Sequence, residues 1–439
     1  MSNETITKID QSCKIRTLVP KLRFAEFQDT KAWVQKKLID IADRSIKWSL
    51  IGGPFGSNLK SSDYVEKGVR IIQLQNIGDG EFLNDYKIFT TAAKADDLLS
   101  HNIFAGEIIM SKMGDPVGRA CLIPSIYNRY VMCSDGIRLV VDETNNHKYF
   151  IYQQINSPFF RSVVEKTATG STRKRIGLDE LKNLPIWIPN KAEQHKVAEC
   201  LSSLDELIAA QSRKVETLKL QKKGLIQQLF PRQGKTKPRR RLLGFQTRKR
   251  WLKATIGEMF EVLMCKRIFA EETNSREGVP FFKIGTLGAT PDAFISRKLF
   301  EDYKERYNYP KKGEILITCS GTVGKCLPYN GSDAYYQDSN IVWLGNKKGV
   351  ISNEFLLLLL SNVNWTRLNA TTITRIYGPD LRAVTVRFPQ NDNEQSRIVE
   401  FLDCLDTLVL AESKKLKALK SHKRGLMQQV FPARKENDK

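Results

Sequence analysis

The sequence predicts an α+β chain. Two globular α/β modules are separated by two long helices, which form an intramolecular antiparallel coiled coil in a pseudo-two-fold repeat. Three observations predict this. Residues 193–231 and 394–432 align without a gap at an offset of 201. Both segments carry apolar residues at a period of about 3.5, the seam of a coiled coil. The stretches before them share weaker β-rich blocks in the same order.

The duplicated segments read as helices because helix formers dominate and Gly and Pro are nearly absent from their interiors. Glu193-Gln194 matches Glu394-Gln395, Leu204-Asp205 matches Leu405-Asp406, and Gln227-Gln228 matches Gln428-Gln429. Phe230-Pro231 matches Phe431-Pro432. The first seam runs Val197, Leu201, Leu204, Ile208, Val215, Leu218, Leu225, Leu229; the second runs Ile398, Leu402, Leu405, Val409, Leu416, Leu419, Leu426, Val430. Each is interrupted twice at equivalent places, by Gln211 and Lys222 and by Glu412 and Lys423. A single buried polar layer can fix register. Antiparallel pairing that opposes Lys222 to Glu412 and Gln211 to Lys423 leaves every other layer apolar, and that register is the expectation. The alternative is two independent amphipathic helices, each packed on its own module.

Elsewhere Phe27 and Trp33 correspond to Phe245 and Trp251, and Gly106–Ile109 to Gly313–Leu316. Gly114 and Val117-Gly118 correspond to Gly321 and Val323-Gly324. Thr172, Arg175-Ile176 and Leu181 correspond to Thr374, Arg375-Ile376 and Leu381. Strands are expected at Arg70–Leu74, Ile108–Ser111, Gly136–Val141, Ile315–Thr318 and Asn340–Leu344, with helices at Tyr149–Asn156 and Glu354–Asn362. The expected organisation is a tail (1–19), a first module (20–190), a helical spacer (191–231), a basic connector (232–250), a second module (251–390), a second spacer (391–432) and a tail (433–439). The connector holds Lys235, Lys237, Arg239–Arg241 and Arg248–Arg250 without an acid. It reads as a solvated linker or as a contact to phosphate or a partner.

Among 439 residues, 70 Lys and Arg face 48 Asp and Glu, a formal charge of +22. That surplus favours a polyanionic partner, because cations near phosphates release condensed counterions. The eight cysteines form no CxxC pair and read as reduced thiols in a cytoplasmic protein. The opening residues lack the long apolar stretch of a signal peptide. The strongest apolar run, Phe355–Leu360, is far short of a membrane span.

Catalytic constellations fail. His101, His147, His195 and His422 have no ligand spacing, and no metal site is expected. Gly321–Cys326 resembles a phosphate loop, but Cys319 and Cys326 occupy positions where that loop needs Gly and Ser or Thr. Glu180-Leu181-Lys182 matches the end of a nuclease signature that the twin module lacks. No methyltransferase Asp-Pro-Pro-Tyr or Asn-Pro-Pro-Phe tetrapeptide occurs. The chain is expected to be non-catalytic.

Two unlike modules alternating with two similar helices resemble the specificity subunit of type I restriction–modification enzymes. So do Pro20–Phe24 with Phe27, Trp33 and Lys37-Leu38; Gly53–Ser57 with Leu59–Tyr64; the Gly-Glu-Ile blocks; and the Gln-Gln-Leu-Phe-Pro helix end. The resemblance implies two target recognition domains, each reading one half of a bipartite, asymmetric double-stranded DNA site across a helical spacer. It implies two methyltransferase subunits for adenine-N6 methylation and motor-nuclease subunits for restriction. S-adenosylmethionine, ATP and Mg2+ would be held by those partners, and none by this chain. A helix of about 37 residues is roughly 55 Å long, enough to hold two readers about one DNA turn apart.

Candidate DNA contacts are basic and polar residues on turns at matched places. In the first module these are Ser57, Lys60, Ser61, Lys112, Ser171, Thr172, Arg173, Lys174 and Arg175; in the second, Lys266, Arg267, Lys283, Ser320, Thr374 and Arg375. Lys and Arg clamp phosphates, and Arg also grips guanine edges. The competing reading is a non-catalytic coiled-coil scaffold whose β-rich modules bind protein or carbohydrate.

Overall fold

The fold is that of a computed structural model, which describes residues 17–232, 234–246, 250–346, 348–365 and 375–432. The chain forms two compact units. The first combines residues 1–212 with 414–439, and the second comprises 213–413. Each long helix, Lys191–Leu229 and Asp392–Val430, begins in one unit and ends in the other. No helix among the described residues is long and apolar enough to cross a membrane.

In the first unit, Thr17–Leu18, Trp33–Lys37 and Pro185–Ile188 form an antiparallel three-stranded sheet. A second antiparallel sheet has the order Leu50–Gly52, Gly136–Leu139, Ile108–Ser111, Ala120–Leu122. A third runs Tyr64–Val65, Ile88–Thr90, Val69–Ile72, Tyr130–Met132, Asn102–Ile103, with Val69–Ile72 parallel to Tyr130–Met132. The strands are short and rich in β-branched and aromatic residues, and Gly turns end them. Ile108 to Ser111 is buried throughout, as a central strand covered on both faces should be. Helices Lys148–Ile155 and Pro158–Thr167 cover the core; the second starts from a Ser157 cap with Pro at its first position.

The second unit repeats the plan. Leu252–Thr255 pairs Thr385–Phe388. A four-stranded sheet has the order Glu261–Leu263, Ile341–Gly345, Ile315–Thr318, Cys326–Pro328. A third sheet runs Thr273–Asn274, Phe294–Ile295, Val279–Phe282, Tyr335–Tyr336, ending in a parallel pair. Helix Asn353–Ser361 explains the apolar run: Phe355, Leu356, Leu359 and Leu360 are buried in this unit's core.

The helix ends are held by the same side chains twice. Asn190 Oδ1 caps the first helix by accepting from Glu193 N at 2.8 Å. Glu193 accepts two hydrogen bonds from Arg23, at 2.8 and 2.7 Å, and one from Trp33 Nε1 at 2.9 Å. Trp33 also packs edge-on against Phe431, so one residue ties the start of the first helix to the end of the second. In the other unit Glu394 accepts from Arg241 at 2.8 and 2.5 Å and from Trp251 Nε1 at 3.3 Å, and Trp251 packs on Phe230. Gln194 and Gln395 are likewise matched, accepting from His147 N and Ser352 N. The basic connector is therefore partly structural. Arg241 is spent on Glu394, and Arg240 N donates to Gln228 O as Leu22 N does to Gln429 O. Lys249 and Arg248 lie outside the described residues.

Within each unit the two helix segments pack antiparallel, but the expected register is corrected. Lys423 bonds Asp205 at 2.6 and 2.7 Å instead of opposing Gln211. Lys222 bonds Asp406 instead of Glu412, and Glu412 pairs with Lys214 at 2.5 Å. Asp205 and Asp406 are duplicated positions, as are Lys222 and Lys423, so the two ion pairs are one arrangement repeated. The reason is physical. A Lys reaches past the seam to an acid on its flank, and the Trp–Phe docking at the helix ends is made at the same offset.

Candidate nucleic-acid interface

In the first unit one end of the four-stranded sheet gathers its connections. Gly52 is opposite Ile137, Gly136 is opposite Ser111, and Met110 is opposite Ala120. The loops leaving this end are therefore 53–60, 112–119 and 133–135. The loop at 53 lies flush on the turn at 133: Gly53 N donates to Gly136 O at 2.7 Å, and a Cβ at Gly53 would meet Cys133 O at 1.7 Å. A fourth segment, 169–175, is stitched on. Thr169 and Arg175 exchange backbone bonds at 2.9 and 2.8 Å, Gly114 N donates to Lys174 O at 3.1 Å, and Ile176 N donates to Lys112 O at 3.0 Å.

These bonds bring Lys112, Lys174 and Arg175 together. Lys112 N donates to Asp135 O at 2.6 Å, and Arg175 reaches the Asp135 carboxylate at 2.8 Å. Arg175 stays 52% exposed while Asp135 is 19% exposed, so the acid orients a guanidinium that still faces solvent. Lys174 is engaged by Glu165 at 2.5 Å. Ser171, Thr172 and Arg173 are exposed at the tip between Thr169 and Lys174. Ser57 is exposed on the adjoining loop. Lys60 and Ser61 lie at the start of the third sheet, where Lys60 N donates to Asp63 at 2.7 Å; no described hydrogen bond or ion pair ties them to Arg175.

The second unit has the same backbone wiring. Cys319 N donates to Asn340 O at 2.7 Å, and Ile376 N donates to Cys319 O at 2.8 Å. Ser320 bridges Arg375, and its Oγ bonds Asn340 Oδ1 at 2.7 Å. Arg375 donates to Ser339 Oγ at 3.3 Å and lies over the Tyr377 ring. Arg267 pairs with Asp338 at 3.7 Å, and Lys266 lies over Tyr307. Lys283 follows Phe282, whose carbonyl accepts from Gln337 N; its ammonium is engaged by Asp292 at 3.3 Å. Thr374 lies outside the described residues. A cavity of about 200 Å³ at this end is lined by Met264, Cys319, Ser339, Arg375, Tyr377 and Arg382 among others.

The two faces share geometry but not chemistry. Lys112 in one is matched by Cys319 in the other, and Asp135 by Asn340. Burial pushes the Cys319 thiol up to about 11, so a neutral thiol stands where the twin has a lysine. Asp135 and Ser339, which bond the arginines, and Asn340, which bonds Ser320, were not singled out from sequence. A Ser followed by Asp or Asn just before each central strand, Ser134-Asp135 and Ser339-Asn340, was the available signal. The phosphate-loop look-alike is a strand-to-strand turn, closed by Thr318 N to Lys325 O at 3.0 Å. Among the described residues no group of three or more His, Cys, Asp or Glu side chains gathers as a metal site.

The family model "Type I restriction modification DNA specificity domain" matches residues 67–220 and 248–421. A Haemophilus influenzae protein assigned as a type I restriction enzyme specificity subunit is 34% identical over 272 residues, 60% of this chain and 68% of the relative. The MjaVIII specificity subunit of Methanocaldococcus jannaschii is 24% identical over 190 residues, 40% of this chain and 42% of the relative. The structure of a type I restriction-modification system S subunit from M. genitalium superposes with a TM-score of 0.54 at 18% identity, covering 95% of this chain and all of that one. A structure from work on assembly and conformational transition of the type I R-M system gives 0.57 at 17% identity, covering 91% and 97%. Two matches of one DNA specificity domain, on a chain that is itself written twice, place this protein in the type I restriction–modification specificity subunit family.

Proposed function

We propose that this chain supplies DNA sequence recognition to a type I restriction–modification complex and performs no catalysis. Each domain reads one half of a bipartite, asymmetric double-stranded site. The readout directs two methyltransferase subunits to methylate adenine at N6 and motor-nuclease subunits to restrict unmethylated DNA. S-adenosylmethionine, ATP and Mg2+ belong to those partners in this reading.

The observation that carries the proposal is the pair of loop faces with matched backbone wiring and unmatched side chains. Matched backbone pairing holds an arginine at the equivalent position in both, Arg175 and Arg375, and a different side chain bonds each guanidinium. The groups around each differ, as two readers of different sequences require. The formal charge of +22 supplies the sequence-independent attraction to phosphate.

The test is selection from a randomised duplex library by the chain assembled with its methyltransferase subunits, repeated across a salt series. Enrichment of a split motif, with affinity falling steeply as salt rises, is the expected result. Retention of no duplex at low salt would favour a scaffold that binds protein or carbohydrate.

A further inference from the structure

We propose that Phe55 is a specificity-determining residue of the first domain, making an apolar contact with bases of the first half-site. The inference rests on the DNA-reading function proposed above. Phe55 is 83% exposed, the most exposed large hydrophobic side chain among the described residues of its unit. Leaving a Phe in water forfeits the favourable burial of its ring. The loop is nevertheless fixed. Pro54 before it is buried, Leu59 behind it is buried, Asn58 N donates to Phe55 O at 2.8 Å, and Gly53 is pressed against the 133–136 turn. An anchored turn that points an aromatic ring at solvent presents it to a partner.

The surroundings select the partner. Phe55 leaves the same sheet end as Lys112 and Arg175, and Ser57, Asn58 and Lys60 follow it on its own loop. No acidic residue lies between Phe55 and Lys60. A surface with cations flanking one apolar tip suits a polyanion that offers apolar groups at its centre, which is the chemistry of duplex DNA. Phosphates meet the cations, while a thymine methyl or an opened base step meets the ring. The second unit also exposes an apolar side chain on the matching loop, at a different position. The loop leaving its equivalent strand begins with Met264, which is 50% exposed and lines the cavity beside Arg375. Each unit thus exposes an apolar side chain on the loop that leaves this strand, at the sheet end where an arginine is held.

The experiment uses the complete methyltransferase complex with Phe55→Ala and Phe55→Leu, each measured for affinity against salt and for the sequence motif methylated. Phe55→Ala is expected to weaken cognate binding about tenfold, leave the salt slope unchanged and relax one base pair of the first half-site only. Phe55→Leu restores part of the loss. Replacing each thymine of that half-site by uracil, or its neighbour by 2-aminopurine, then separates a methyl contact from an opened step. A Phe55→Ala complex with wild-type affinity and motif overturns the proposal. So does a variant that assembles more weakly with the methyltransferase subunits but, at concentrations that restore assembly, binds DNA with wild-type affinity and motif, which would assign the ring to a protein partner. If the wild-type complex itself selects no motif, the function proposed above fails instead.

Discussion

Removing the Arg23 guanidinium should open the first unit at the joint where both long helices meet it. Arg23 and Glu193 are 5% and 1% exposed, and their bond is bidentate. Arg23 also donates to Thr30 O at 3.0 Å and to Lys31 O at 2.9 Å. Arg23→Ala strands a buried carboxylate with Trp33 Nε1 as its remaining donor among the bonds described. Breaking a buried pair in this way costs about 3–5 kcal/mol. The retained Trp33 bond argues for the lower end, about 3 kcal/mol, or more than a hundredfold in the opening equilibrium. Adding Glu193→Gln removes the stranded charge while keeping an acceptor for Trp33, and should return about half of the loss. Hydrogen exchange read by mass spectrometry reports each region separately, so peptides from Trp33–Lys37 and Pro185–Ile188 should exchange faster in Arg23→Ala. The repeat demands a twin result: Arg241→Ala should loosen Leu252–Thr255 and Thr385–Phe388. A loss below about 1 kcal/mol, or no recovery with Glu193→Gln, would refute the view that this ion pair locks the joint.

Three further outcomes follow from the geometry. In a double-mutant cycle, Asp205→Asn and Lys423→Met should couple by about 1 kcal/mol, whereas Lys222→Met and Glu412→Gln should couple by less than about 0.3 kcal/mol; the reverse ranking would restore the seam-based register. Burial pushes the thiols of Cys121 and Cys265 up to about 12 and that of Cys133 up to about 11, from a reference value of 9.0. The unfolded chain loses these protons first, so the stability held by the protonated thiols is intact below pH 9 and drains as pH rises from 9 to 12. Denaturation midpoints at pH 8 and pH 10 check the sign, and in native alkylation the exposed Cys404 should react before these three. Finally, Lys112→Gln should lower the magnitude of the salt slope of DNA binding by about one, whereas Arg175→Ala should cost about 1–3 kcal/mol and act on the motif.

The secondary structure was legible where local pattern decides it. Ile108–Ser111 and Ile315–Thr318 are strands at their expected bounds, because an apolar run between turn residues leaves little else to form. The duplicated helices were legible because both copies keep one seam. The register was not, because it depends on Trp33 meeting Phe431, a contact between residues nearly 400 apart that no local pattern encodes. Glu193 illustrates the same limit. Its duplication as Glu394 was plain, but a buried carboxylate needs a cation, and only the fold brings Arg23 to it. Among the candidate contacts, Lys112 comes together with Arg175 in the first unit and Ser320 with Arg375 in the second, because they flank duplicated strand ends. Lys174 and Lys283 each pair with a nearby acid, as Arg175 does with Asp135, and no local pattern in the sequence announced those pairings.

The most direct measurement is methylome sequencing of cells carrying the complete system with the wild-type chain, with Arg175→Ala and with Arg375→Ala. The expected result is a split motif for the wild type, with each substitution relaxing a different half. One uninterrupted motif, or two substitutions that alter the same half, would contradict a chain built as two separate readers.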